Sequence, residues 1–482
     1  MRVPPRSFDA APRAGVSAGI IEVVNYLRPN RAWRCGERIY TLGARTWVMA
    51  IVNLTPDSFY AASRLAPGEP EAVVRRCSEA LEAGADIVEL GAESTRPGSR
   101  PLSSEEEQAR LLPALVAVRR ALPEALLSVD TRHAKTAAAA LDAGADIIND
   151  VVGGGDREML PRLARTRCGI VLMHARGEFA TMQKLPRLED PLATVAAGLA
   201  AIAKRAADAG IGGERVMLDP GFGFGKNLDE NFPLLAGLDR LHALGHALLV
   251  GVSRKSFLQR ARESGPETRL AASLAAATAA VLAGAHMLRV HDVPATVEAA
   301  RIADRVLITI RRAATRDVEA IAALLGASAH EHGGELTGPF RESRVAKWVA
   351  GSLPVLVAEQ AGELQGVLVT SEPHARSSRA VAAMLAAYPA RDGAYVYGPV
   401  CLAAGARGHG IAAALYTEVQ RLLPGREAIL FIREDNARSL RAHEKLGMGR
   451  VAGFQYDGAG FAVFSDIDST EGRGAGRGRK PL

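Results

Sequence analysis

Residues 83–93 read AGADIVELGAE, and this stretch decides the fold of the first half of the chain. Gly84 stops a helix, an apolar run centred on Glu89 follows, and the run ends in polar residues. The same unit recurs. WVMAIVN ends at Asn53, LLSVD at Asp130, DIIND at Asn149 and Asp150, and GIVLMH at His174. RVMLD ends at Asp219, LLVGVS at Ser253 and HMLRVH at His291. Gly144 and Gly284 repeat the helix stop before two of these runs. The runs are rich in Val, Ile and Leu without polar alternation, as parallel strands covered on both faces must be. Eight of them alternating with amphipathic stretches predict an α/β (β/α)8 TIM barrel whose site lies at the strand C-termini. A doubly wound open sheet is the alternative, but no G-x-G-x-x-G follows the first strand. Leu42–Gly43–Ala44–Arg45 lies between two apolar runs before that strand and reads as a hairpin plugging the barrel floor.

The chain has 482 residues, more than one core accommodates, so two or three domains are expected. After residue 310 the texture changes. PVLVAEQ, GELQGVLVT, GAYVYGPVCL and EAILFIRED alternate more clearly and predict a smaller α+β domain with a mostly antiparallel sheet. The division read from sequence is a 1–34 extension, a 35–312 barrel, a 315–467 second domain and a 468–482 basic tail. The net charge of +6 falls to +2 without Arg473, Arg477, Arg479 and Lys480 of that tail, so no nucleic-acid partner is expected. Four scattered cysteines, Cys35, Cys77, Cys168 and Cys401, fit a reducing, cytoplasmic compartment. The uncharged stretch 271–288 is mostly alanine and is broken by Gly284, so it reads as a buried helix and strand, with no membrane partner.

The strand ends carry opposite chemistries. Asp130, Asn149 and Asp219 offer acceptors and an amide for a flat, nitrogen-rich heterocycle. Arg96, Arg254, Lys255, Arg289 and His291 offer cations for phosphate or carboxylate. Phe222 or Phe224 could stack on a ring, and the glycines of DPGFGFGK let the backbone approach it. A phosphorylated or pyrophosphorylated heterocycle is the ligand that follows. Each residue also has a bland reading: an N-cap for the Asp residues, core for Phe224, a surface ion pair for Arg254.

MAIVNLTPDSF (49–59), DIVELGAESTRPGS (86–99), LSVDTR (127–132), GADIIND (144–150), VLMHARG (171–177), LDPGFGFGK (218–226), GVSRKSF (251–257) and LRVHD (288–292) together resemble the dihydropteroate synthases. The resemblance implies condensation of 6-hydroxymethyl-7,8-dihydropterin pyrophosphate with 4-aminobenzoate to 7,8-dihydropteroate. It implies a pterin pocket of Asp130, Asn149, Asp219 and Lys255 with Met173 beside the ring, and Asn53 holding Mg²⁺ with the pyrophosphate. Arg289 and His291 would grip the leaving group, with Asp130, Lys255, Arg289 and His291 forming the catalytic set. Thr95, Arg96 and Pro97 would close over the aminobenzoate, Ser256 would take its carboxylate and Phe224 its ring, and Asp57 would lie on an ordering loop. The family's Ser-Asp-Gly-Gly after TPDSF is Tyr60-Ala61-Ala62-Ser63 here, and Ala50 and Ala92 replace glycines. The alternative is a non-catalytic pterin-binding barrel with a CoA-binding regulatory domain; a methyltetrahydrofolate methyltransferase is less well matched. A homodimer is expected only because the family commonly dimerises.

In the second half, a strand ends near Leu402 and a helix begins near Gly410, so Arg407, Gly408, Gly410 and Ala412 read as an anion site at a helix N-terminus, with a plain tight turn as the equal reading. Further on, DNARSLRAHEKLGM gives a capped helix with a glycine stop. The pair resembles the GNAT-type N-acetyltransferases and implies acetyl-CoA, with its pyrophosphate on the 407–412 loop and Asn436 near its arm. His443 stands where that family often has a tyrosine acid for the leaving thiolate; half-buried core is the equal reading. Tyr416 and Glu418 read as structural.

Overall fold

The computed structural model describes residues 27–54, 70–93, 100–178, 181–258, 266–328, 340–374, 378–407 and 410–467. Asp57, Tyr60–Ser63, Thr95, Arg96, Pro97, Gly408 and the 468–482 tail lie outside the described residues.

The chain begins with three short strands, β1 (Leu27–Pro29), β2 (Arg31–Cys35) and β3 (Arg38–Leu42). Eight strand–helix units follow: β4 (Trp47–Asn53) and α1 (Pro70–Glu82), β5 (Ile87–Gly91) and α2 (Ser104–Ala121), β6 (Leu126–Asp130) and α3 (Ala134–Asp142), β7 (Ile147–Asp150) and α4 (Met159–Ala164). Then come β8 (Gly169–Met173) and α5 (Pro191–Asp208), β9 (Val216–Asp219) and α6 (Asn231–Ala236), β10 (Ala247–Val250) and α7 (Leu270–Leu282), β11 (Met287–Val290) and α8 (Val293–Val306). Strands β4–β11 are all parallel and close into a barrel through the β11–β4 pairing. Local signals fix the helix starts: Ser103 and Glu106 form a capping box on α2, and Asp190 caps α5 ahead of Pro191. Gly84, Gly144 and Gly284 have φ near +100° and end their helices as the sequence predicts.

Side chains alternate between two cores. Val48, Val88, Leu90, Ile148 and Leu218 pack outward on the helices. Met49, Ile87, Ile147, Val171, Met217, Leu249 and Met287 fill the barrel floor with Trp33, Cys35 and Leu42. The β2–β3 hairpin is therefore the plug, but its turn is Gly36–Glu37. Gly36 supplies the left-handed residue (φ 64°) that a two-residue turn needs. Leu42–Arg45 only leads from the hairpin into β4.

The second sheet is built from β12 (Ile308–Arg312), β13 (Leu356–Gln360), β14 (Glu363–Ser371), β15 (Tyr395–Leu402), β16 (Ala428–Arg433), β17 (Gly449–Tyr456) and β18 (Ala459–Ser465), with β1 at its edge. The order is β1-β12-β13-β14-β15-β16-β18-β17. Only β1–β12 and β15–β16 are parallel, so the predicted mostly antiparallel α+β sheet is present. Helices α9 (Val318–Ala327), α10 (Glu342–Val349), α11 (Arg379–Ala387), α12 (Ile411–Leu422) and α13 (Ala437–Lys445) cover it. β15 and β16 register only at Tyr395–Ala428 and Val396–Ile429 and diverge beyond, opening a cleft.

Two boundaries differ from the sequence division. β12 belongs to the second sheet because Ile310 packs into the second core beside Leu356 and Leu368. β1, read as plain extension, pairs with β12, so the barrel sits between two neighbouring strands of one sheet. Arg28 is fully buried there and donates to Gly43 O (2.8 Å), Thr46 Oγ1 (2.8 Å), Ala285 O (3.0 Å) and Asp304 Oδ1 (2.9 Å).

Candidate active sites

Inward positions of a strand are two residues apart. Above the floor residue Ile87 comes Glu89, above Ile147 Asn149, above Val171 Met173, above Met217 Asp219, and above Met287 Arg289 and His291. Parity thus carries the predicted pocket residues to the mouth, together with Asn53 and Asp130 at the ends of β4 and β6.

Glu89, which sequence reading did not place in the site, is their hub. It is fully buried and accepts from Asn149 Nδ2 (2.8 Å), Ser128 Oγ (3.2 Å) and Arg289 Nε. Arg289 Nη2 also donates to Asp130 Oδ2 at 2.7 Å. The signal was a single carboxylate inside an apolar run, at inward parity. Donating its amide to Glu89 turns Asn149 so that Oδ1 is buried with no hydrogen-bond partner among the described residues. Asp219 accepts Gly221 N on Oδ1 at 2.7 Å, leaving Oδ2 without a protein donor among the described residues.

Burial pushes Asp130 up to about 7; Arg289 pulls it down, while Glu89 adds to the rise. Burial, then Arg289, lowers Lys255 to about 8. Lys255 Nζ lies 4.1 Å from the Phe224 ring centroid, bringing those two residues together. Burial and then Arg289 hold His291 neutral, down to about 3. Ser253 Oγ accepts from His291 N (3.2 Å) and lies 3.1 Å from His291 Nδ1, a contact that fixes the ring and in which either atom can be the donor. With the serine proton on Nδ1, the neutral ring carries its own proton on Nε2 and can donate it to an oxyanion. Ser256 is exposed at a 3-10 turn.

The DPGFGFGK loop is held from beneath. Gly221, Gly223 and Gly225 all have positive φ, and a Cβ on Gly221 would come within 2.0 Å of His174 O. Lys226 is 2% exposed, and its ammonium donates to His174 O (3.1 Å), Gly221 O (2.8 Å) and Phe224 O (3.0 Å). Phe222 stacks on Phe257 in the core, so Phe224 is the half-buried ring. Arg254 is no rim cation: it is buried and bidentate to Asp292 (2.8 and 2.6 Å), tying the SRKSF loop to the strand-eight turn.

The second domain has its own cavity of about 710 Å³ at the β15–β16 divergence. Asn436 and His443 line it. Arg407, Gly410 and Ala412 are not among its described lining residues; Gly410 (φ 70°) is the N-cap of α12. Asn436 caps α13 by accepting Ser439 N at 2.8 Å. His443 is buried with its Nδ1 2.8 Å from Ser439 O, so Nδ1 is the protonated nitrogen, and burial lowers its pKa. Nε2 is then an acceptor, which does not suit a resting general acid. Tyr416 donates to Asp466 and Glu418 pairs with Arg31, so both are structural.

Comparison with known proteins divides the chain in the same way. The pterin binding enzyme family matches residues 49–291 and the acetyltransferase (GNAT) family residues 332–448. Dihydropteroate synthase of Escherichia coli K12 is 41% identical over 260 residues, covering 54% of this chain and 91% of the relative. The crystal structure of Yersinia pestis dihydropteroate synthase with a sulfonamide drug complex is 36% identical, with a TM-score of 0.54, over 57% of this chain and 98% of that one. The Xanthomonas albilineans enzyme with 4-aminobenzoic acid is 40% identical, with a TM-score of 0.52, over 57% and 97%.

Proposed function

We propose, from the premise that the chain belongs to the pterin-binding enzymes as a dihydropteroate synthase joined to a GNAT domain, that the barrel condenses 6-hydroxymethyl-7,8-dihydropterin pyrophosphate with 4-aminobenzoate. The observation that carries this is the pair of oxygens without protein donors, Asn149 Oδ1 and Asp219 Oδ2, beside the Lys255 ammonium. Together they match a heterocycle edge with N–H donors and a ring acceptor. Met173, buried below the mouth, flanks the ring.

Asn53 suits Mg²⁺. A Cβ built on Gly91 would lie 3.9 Å from both Asn53 Oδ1 and Asp130 Oδ2, so two oxygen donors flank an open backbone position. Such a site leaves most ligands to water and pyrophosphate, as Mg²⁺ prefers. When bound, the ion offsets charge on the pyrophosphate. The chain's own groups do the rest. Arg289 and the Nε2–H of His291 receive the departing oxygens, and ionised Asp130 faces the positive charge that spreads into the pterin. The arylamine is neutral, so no strong base is required. Phe224 would hold its ring and Ser256 its carboxylate; Asp57, Thr95, Arg96 and Pro97, which the resemblance adds to this set, lie outside the described residues.

Purified full-length protein given both substrates and Mg²⁺ should release pyrophosphate and form dihydropteroate. Pterin binding without release would identify a non-catalytic binder. The second domain is read as an acetyl-CoA-dependent N-acetyltransferase, the cofactor's pyrophosphate lying on the Arg407–Ala412 turn. The four buried, unbridged cysteines support a cytoplasmic home, and dimerisation belongs to the same reading. Among the described residues no helix is long and apolar enough to cross a membrane.

A further inference from the structure

Resting on that reading of the second domain, we propose that its acetyl acceptor is an arylamine bearing an anionic group, the same chemical class as the barrel's amine substrate. The cavity is aromatic on both sides. Phe340 and Trp348 have centroids 6.4 Å apart on the α10 side, and Phe431 and Phe461 meet edge to face at 5.7 Å on the strand side. Flat rings prefer such walls.

Charge then selects the substituent. Arg344 and Lys347 line the α10 wall one turn apart, with the Arg344 guanidinium 4.9 Å from the Trp348 centroid. Arg433 also lines the cavity but is held by Asp435, at 3.0 and 2.6 Å, so Arg344 and Lys347 carry the selection. Among the described residues the one carboxylate lining the cavity, Glu372, lies 3.4 Å from Arg426. A carboxylate on the acceptor therefore meets complementary charge beside an aromatic wall.

The same balance disfavours aliphatic amines. An aliphatic amine arrives as an ammonium and needs a carboxylate to seat it and a base to deprotonate it. An arylamine arrives neutral because its lone pair is shared with the ring. In the transfer, the amine nitrogen bonds to the thioester carbonyl carbon and the carbon–sulfur bond breaks. One proton leaves nitrogen and one reaches sulfur, giving the N-acetyl arylamine and the free thiol. His443, with Nε2 as the acceptor, is placed to carry that proton from nitrogen to sulfur.

The test uses the full-length chain, with acetyl-CoA binding measured by calorimetry and thiol release measured with 4-aminobenzoate, aniline and putrescine. The proposal expects binding, release with 4-aminobenzoate at least tenfold faster than with putrescine, and an acetylated arylamine by mass. Lys347→Glu should remove the advantage of 4-aminobenzoate over aniline. Binding with putrescine preferred, or with no amine acetylated, overturns the acceptor class alone. Absence of acetyl-CoA binding overturns the transferase reading as well.

Discussion

Arg31 Nη1 lies 3.0 Å from Glu418 Oε2, so the hairpin that closes the barrel floor is ion-paired to α12 of the second domain. Both side chains are buried, at 5% and 9% exposure. Arg421 completes the cluster at 2.8 Å from Glu418. Removing one member of a buried pair strands the other charge, at a cost of about 3–5 kcal/mol. Glu418→Ala should therefore destabilise the joint and split a shared calorimetric transition into two. A variant that melts as one unit at an unchanged temperature would show that the pair does not couple the domains.

Two site groups set a pH window. Asp130, raised to about 7, must be ionised to face a cationic pterin, so activity falls as pH drops through 7. Lys255, lowered to about 8, must be protonated to donate, so activity falls as pH rises through 8. The profile of kcat/KM should be a narrow bell between these values. Lys255→Arg should retain the acid limb and move the basic limb out of the measurable range.

Glu89→Gln tests the hub. A glutamine amide no longer fixes which way Asn149 points, and it leaves the Arg289 guanidinium with Asp130 alone. The expected outcome is a loss of about 3 kcal/mol in denaturant unfolding, as for a broken buried pair, and a raised KM for the pterin substrate. A KM unchanged beside lost stability would confine Glu89 to a structural role.

Lys226→Met removes an ammonium whose three protons meet three carbonyls. Each buried carbonyl left unsatisfied costs about 1–3 kcal/mol, so a loss of at least about 3 kcal/mol is expected. The loop above should become sensitive to limited proteolysis near Gly223. Resistance equal to wild type would show that the glycine turns hold the loop unaided.

The barrel was legible because its strands are apolar on both faces and its helix stops are glycines, signals that act within a few residues. The mouth residues were legible because they interrupt those runs at their ends. Glu89 was not singled out because its role depends on Asn149 and Arg289, 60 and 200 residues away. Arg254 went the other way: a charged residue beside a lysine reads as a rim cation until Asp292 is seen against it. β1 was invisible for a simpler reason. Three residues carry no periodicity, and their partner strand lies on the far side of the whole barrel.

That strand decides where the polypeptide can be divided. A second domain begun at residue 315 would lack both β12 and β1, leaving the Leu356–Gln360 edge open to pairing with other chains. A barrel begun at residue 35 would lose Trp33 from its floor and Arg28 from the turn before β4. Each half thus carries a piece of the other's edge, and the smallest faithful preparation of either starts before Leu27 and ends after Ser465.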